Sequence, residues 1–151
     1  MSTQSSSQHA AATAGAALSD QVFAGLKVLA VARVYAAPFA AYQLALHGAD
    51  VIHIEEPGNG DTTRNGGGPN AKDFVEAKMG TAFIAHGSNK RSMTLNLREP
   101  AAQEIFRKMV KDADIVIENL RAGDMQRHGL HYEAMQEINP RLIYGSLTGY
   151  G

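Results

Sequence analysis

The sequence predicts an α/β fold: a parallel sheet with helices on both faces. Three observations lead to it. Four short apolar runs read as strands, at residues 25–31 (GLKVLAV), 50–55 (DVIHIE), 114–118 (DIVIE) and 141–147 (RLIYGSL). Helical segments alternate with those runs, the order that places parallel strands side by side with crossover helices on the faces. The chain of 151 residues suits one domain of ordinary size.

Each element follows from local chemistry. Residues 1–20 are built from Ser, Gln, Ala and Thr without apolar periodicity, and are expected to form a disordered tail. They lack the positive start and apolar core of a secretory signal and the arginines of a transit peptide. Residues 21–151 hold the ordered part. Gly25 opens the first strand, whose run of apolar residues suits burial on both faces. Residues 36–47 are apolar nearly all round and end at Gly48, a helix stop. The second strand is closed by Pro57, Gly58 and Gly60, and residues 59–80 read as a long surface loop. Residues 92–97 (SMTLNL) alternate and suit a strand or an extended piece. Residues 99–111 form the clearest helix, with Pro100 in its first turn and Ile105, Phe106, Met109 and Val110 on one face. A short helix at 132–138 stops at Asn139-Pro140, before the fourth strand.

Composition excludes several classes. Lys and Arg number 14 against 15 Asp and Glu, a net charge of −1, which argues against a general nucleic-acid or membrane-surface binder. No cysteine is present, so there is no disulfide framework, thiolate nucleophile or Cys-ligated zinc. No run reaches the roughly 18–20 apolar residues of a bilayer span. A cytoplasmic protein is expected.

Ligands on open parallel sheets bind beyond the carboxyl ends of the strands. That rule selects residues 33–37, 55–64, 119–127 and 148–151. These edges carry Arg33, Arg64, Arg121 and Arg127, with Lys90, Arg91 and Arg98 near in sequence. Arginine forks suit phosphate, so an anionic ligand is one reading, and a solvated charged surface is the other. Asp61 is placed to accept a hydrogen bond from Arg64 and brace its loop. Asp50 and Asp114 begin strands at the opposite edge and read as structural.

Other chemistries find little support. Glu55 ends the second strand, where an acid can hold a ribose hydroxyl, but no glycine lies between Gly25 and Gly48, so the dinucleotide fingerprint is absent. His53 with Glu55, and His128 with His131, lack a third ligand at a defined spacing, and no metal is expected. Ser88, Ser92 and Ser146 sit in no nucleophile elbow.

Three blocks then resemble one family. GLKVLAVARVYAAPFAAYQLALHGADVIHIEEPGNGDTTR resembles the opening of class III CoA-transferases, the CaiB/BaiF type that includes formyl-CoA and carnitine CoA-transferases. SNKRSMTLNLREPAAQEIFRKMVKDADIVIENLRAGDMQRHGL and NPRLIYGSLTGYG are similar to that family's following blocks. The resemblance covers about residues 25–151. It implies a Rossmann-like large domain that holds coenzyme A, of which residues 21–151 are the amino-terminal part.

The family moves CoA between carboxylic acids. By that resemblance an aspartate attacks the donor thioester to give a mixed anhydride and free CoA thiolate. The donor acid then leaves as an enzyme–CoA thioester forms, and the acceptor acid repeats the exchange. CoA and acyl-CoA are substrates, with no tightly bound cofactor. Tyr35 and Ala36 match the turn that contacts CoA. Leu95, Asn96, Leu97 and Arg98 match a segment at its adenine and phosphate end. Asn119 and Leu120 match a pair after the third strand, and Arg127 an arginine that meets phosphate.

This chain departs from the family at several positions. Ala37 replaces a glycine, Leu120 an aromatic, and Glu56 an arginine found in some members. The aspartate nucleophile, the small domain and the interlocked homodimer belong to sequence beyond Gly151, because family members are much longer. The chain is therefore expected to be an amino-terminal fragment, inactive alone and without a catalytic residue of its own. The alternatives are the same part of an acyl-CoA racemase, and a short non-catalytic CoA-binding module.

Overall fold

The computed structural model describes residues 21–68 and 70–149. The expected tail at 1–20 and the last two residues of the final block lie outside that range. The elements are β1 (Lys27–Val31), α1 (Ala36–Leu46), β2 (Asp50–Glu55), a 3-10 turn (Thr62–Asn65), α2 (Lys72–Glu76), α3 (Thr81–Gly87), β3 (Lys90–Thr94), α4 (Pro100–Val110), β4 (Ile115–Glu118), α5 (Asp124–Arg127), α6 (Tyr132–Ile138) and β5 (Ile143–Ser146).

The five strands form one parallel sheet in the order β3-β2-β1-β4-β5. β1 lies at its centre, with Val28 beside Val51 on one side and Ile115 on the other. Its unbroken apolar run has a physical reason, since both faces are covered. Val28, Ala30 and Ala32 pack with Ala37, Ala41 and Ala45 of α1. Leu29 and Val31 belong to the opposite cluster, with Phe106 and Val110 of α4 and Met135 of α6. Helices therefore lie on both faces, as the pattern required.

Both strand-opening aspartates work as fasteners at the amino edge. Arg91 forks onto Asp50 at 2.8 and 2.6 Å, and Asp114 accepts the Lys27 N–H at 2.9 Å. Arg91 thus stands away from the carboxyl edge.

Three segments differ from expectation. The long loop is not structureless: it holds the 3-10 turn and α2, and α3 follows it. Neither α2 nor α3 contains a fully buried residue, so no periodic apolar face marked them. Gly80 seats this region, because a Cβ there would lie 2.3 Å from the carbonyl oxygens of Thr63 and Gly66. β3 begins two residues early, at Lys90, and ends at Thr94. It is an edge strand, where long charged side chains are tolerated. α5 is a single turn whose apolar content is one buried residue, Met125.

Candidate functional site

The strand order turns at β1: β2 and β3 lie to one side, β4 and β5 to the other. Beyond the carboxyl ends of β1 to β4 a crevice of about 590 Å³ opens. Residues following each of those four strands line it: Arg33, Glu56, Asn96 and Arg98, and Arg121. This is the location that strand-end geometry favours in open parallel sheets.

Its floor is a buried carboxylate network. Glu55 accepts both prongs of Arg64 at 2.6 Å, the Ser92 hydroxyl at 2.6 Å and the Asp61 N–H at 2.8 Å. Burial alone would raise the Glu55 carboxyl, but Arg64, Ser92, the Asp61 N–H and nearby His53 outweigh it and hold the group at about 2. Arg64 also lies over the Phe83 ring, 3.7 Å from its centre, and donates to the Lys78 carbonyl. The Arg64 guanidinium therefore serves Glu55, and the bond to Asp61 expected from sequence is a main-chain one, the Arg64 N–H donating to the Asp61 carbonyl at 3.0 Å. Two parallel bonds to a buried carboxylate outrank one bond to a neighbour three residues back.

Asp61 instead caps the 3-10 turn. It accepts the Thr63 N–H at 2.8 Å and the Thr63 hydroxyl at 2.6 Å, and its other oxygen lies 3.5 Å from His53 Nε2. Against the cost of burial these contacts lower its carboxyl. Lys90 completes the cluster, donating to the Pro38 carbonyl at 3.1 Å. Burial pushes its amine down to about 8, against the pull of Asp61 and Glu55. With its carboxylate filled by protein donors, Glu55 is not free to hold a ribose hydroxyl.

The rim is different in kind. Arg33 and Arg98 both reach Glu56, at 3.1 and 3.5 Å, and Arg127 pairs with Asp124 one turn back. The three arginine side chains are exposed and the two carboxylates partly so, which makes the pairs weak and exchangeable. Four arginines, Arg33, Arg98, Arg121 and Arg127, share one hollow. Such a rim can take an anion with several phosphates by exchanging carboxylate partners for phosphate oxygens.

The sequence-selected residues divide accordingly. Leu95, Asn96, Leu97, Arg98, Asn119, Leu120 and Arg127 line this crevice. Leu95 and Leu97 are at the same time part of the buried core. Leu120 packs against the same core. Tyr35 and Ala36 do not line it. Tyr35, 57% exposed, borders a smaller hollow with Thr62, Gly67 and Thr81, and Ala36 is exposed at the start of α1. Sequence reasoning missed Asp124, whose three-residue spacing from Arg127 on a helix was the available signal. Among the described residues no group of three His, Asp or Glu side chains is placed to hold a metal. No helix among them is long and apolar enough to cross a membrane.

The family model of CoA-transferase family III matches residues 23–151. A succinate–glutarate CoA-transferase of Agrobacterium fabrum is 42% identical over 132 residues, 84% of this chain and 32% of that protein. A formyl-CoA:oxalate CoA-transferase of Escherichia coli is 40% identical over 126 residues, 83% of this chain and 29% of its own length. The crystal structure of a CAIB/BAIF family protein from Brucella suis superposes with a TM-score of 0.78 at 40% identity, covering 87% of this chain and 34% of that one. The chain thus spans about a third of the length of these relatives.

Proposed function

The chain belongs to CoA-transferase family III, and from that premise we propose that its strand-end crevice is the coenzyme A-binding wall of an enzyme that moves CoA between carboxylic acids. One observation carries the reading: four arginines from three separate segments converge on a single hollow at the turning point of the sheet. Arg98 and Arg127 meet the phosphates, and the backbone of residues 95–97 faces the nucleotide end. CoA enters and leaves as a thioester substrate.

The acids of this crevice do not do the chemistry. Glu55 is saturated by four donors, Asp61 is spent on the 3-10 turn, and Glu56 and Asp124 face arginines. A carboxylate stabilised in this way is a poor nucleophile, because its electron pairs are already engaged. The reacting group in this reading is an aspartate on polypeptide other than these residues. That polypeptide also selects the acyl groups and completes a homodimer in the cytoplasm.

Titration calorimetry with CoA tests the crevice. Arg127→Ala is expected to weaken binding about tenfold, the scale of one charge-assisted contact to phosphate. Arg91→Ala, at the opposite edge, is expected to leave it unchanged. Equal losses in the two variants, or none in Arg127→Ala, refute the assignment.

A further inference from the structure

The geometry points to Asn119 as a positioning residue that acts through the backbone of Arg33, holding a strained turn in place instead of touching the ligand. The inference rests on the crevice being the CoA site and adds how that site is kept in shape.

β1 ends at Val31 and β4 at Glu118, so the ladder between them stops one residue before Asn119. The Asn119 side chain continues it. Its Oδ1 accepts the Arg33 N–H at 2.7 Å, and its Nδ2 donates to the Arg33 carbonyl at 2.8 Å. A carboxamide carries donor and acceptor in one plane, as a peptide does, and so can pair both polar groups of one residue. Aspartate has no donor for the Arg33 carbonyl, and glutamine is one methylene too long for the same placement. The residue type is thereby specified by the clasp alone.

The clasp is needed because the next residue is strained. Val34 sits at φ +66°, a left-handed conformation that a β-branched residue rarely adopts. The turn contains no glycine, and Tyr35, at the N-cap of α1, contributes no side-chain cap. The strained step lies between a residue pinned on both backbone groups and the first turn of a helix. Arg33 is also one of the four rim arginines, so the direction of its guanidinium depends on this turn. Strain held by surrounding contacts at a binding edge is a known form of preorganisation.

Three variants of the full 151-residue chain test this: Asn119→Ala, Val34→Gly, and the two combined. Two measurements are made on each, amide hydrogen exchange at Arg33 and CoA affinity by calorimetry. Asn119→Ala is expected to lose exchange protection at Arg33 and to bind CoA about tenfold more weakly, the effect of losing two hydrogen bonds at the sheet edge. Glycine adopts φ +66° freely, so adding Val34→Gly to Asn119→Ala is expected to recover a large part of the lost affinity. The same change has a smaller effect in the wild-type background. A double variant as weak as Asn119→Ala means that Asn119 contacts the ligand itself, and overturns the proposal. Arg33 protection that survives in Asn119→Ala overturns it as well. If the wild-type chain binds no CoA, the reading of the crevice fails, and the exchange measurement still decides whether the clasp exists.

Discussion

Replacing Glu55 by glutamine removes the charge from the floor of the crevice while keeping the side chain's size. The Glu55 carboxyl titrates at about 2 in the folded chain against 4.5 when exposed, a difference worth about 3 kcal/mol. Its side chain is 1% exposed, so solvent screening takes little from that figure. The sign follows from proton counting. Between pH 4.5 and 2 the unfolded chain binds the proton that the folded chain refuses, so stability rises with pH across that window. The contribution is complete above about 4.5 and is lost as the pH falls through about 2. Urea unfolding of wild type and Glu55→Gln from pH 7 down to pH 3 reads it directly. At pH 7 the variant is expected to be less stable by about 3 kcal/mol. At pH 3 less than half of that gap remains, because the wild type has begun to lose what the variant never had. A gap that stays constant between pH 7 and pH 3 would show that the charge of Glu55 contributes nothing, and would refute the network as an electrostatic brace.

Two further outcomes concern the same face of the sheet. Burial holds the Lys90 amine at about 8, below its ordinary 10.5, so the unfolded chain keeps the proton longer and stability rises as pH climbs above 8. Thermal unfolding between pH 7 and 9.5 should show that rise in wild type and not in Lys90→Met. Glu56→Gln frees Arg33 and Arg98 from a shared carboxylate, so CoA affinity is expected to rise several-fold while stability moves by less than about 0.5 kcal/mol, the scale of exposed pairs. Calorimetry that shows weaker binding in this variant would mean that Glu56 contacts the ligand favourably.

The sheet was legible because a strand buried on both faces leaves an unmistakable apolar run, as at 27–31 and 115–118. α4 was legible because one face is apolar and Pro100 marks its start. α2 and α3 were not, because they lie on the outside of the loop and bury no residue fully. The site was half legible. Strand-end residues fall at the crevice by topology, so position in the order of elements located Arg33, Arg121 and Arg127, while Arg98 was reached only through the family resemblance and Arg64, also selected, does not line the crevice. Partner choice was hidden, because it depends on reach in three dimensions. The Arg64 guanidinium goes to Glu55, nine residues away, and Asn119 spends its amide on Arg33, 86 residues away. Neither separation leaves a local pattern.

The two acid–base systems at the carboxyl edge differ in how fixed they are, and that difference assigns their work. In the floor, Glu55, Asp61, Arg64 and Lys90 are buried or half-buried, and each is committed to short protein contacts. Breaking one of them leaves a charge without solvent or partner, so the floor resists rearrangement when a ligand arrives. In the rim, Glu56 and Asp124 hold arginines that water already reaches, so exchanging a carboxylate for a phosphate costs little. The floor is charge-compensated, two carboxylates against Arg64 and Lys90, whereas the rim sets four arginines against Glu56 and Asp124 and carries the excess of positive charge. In the proposed reading the phosphates therefore settle at the rim, where positive charge is in excess and carboxylate partners can be exchanged.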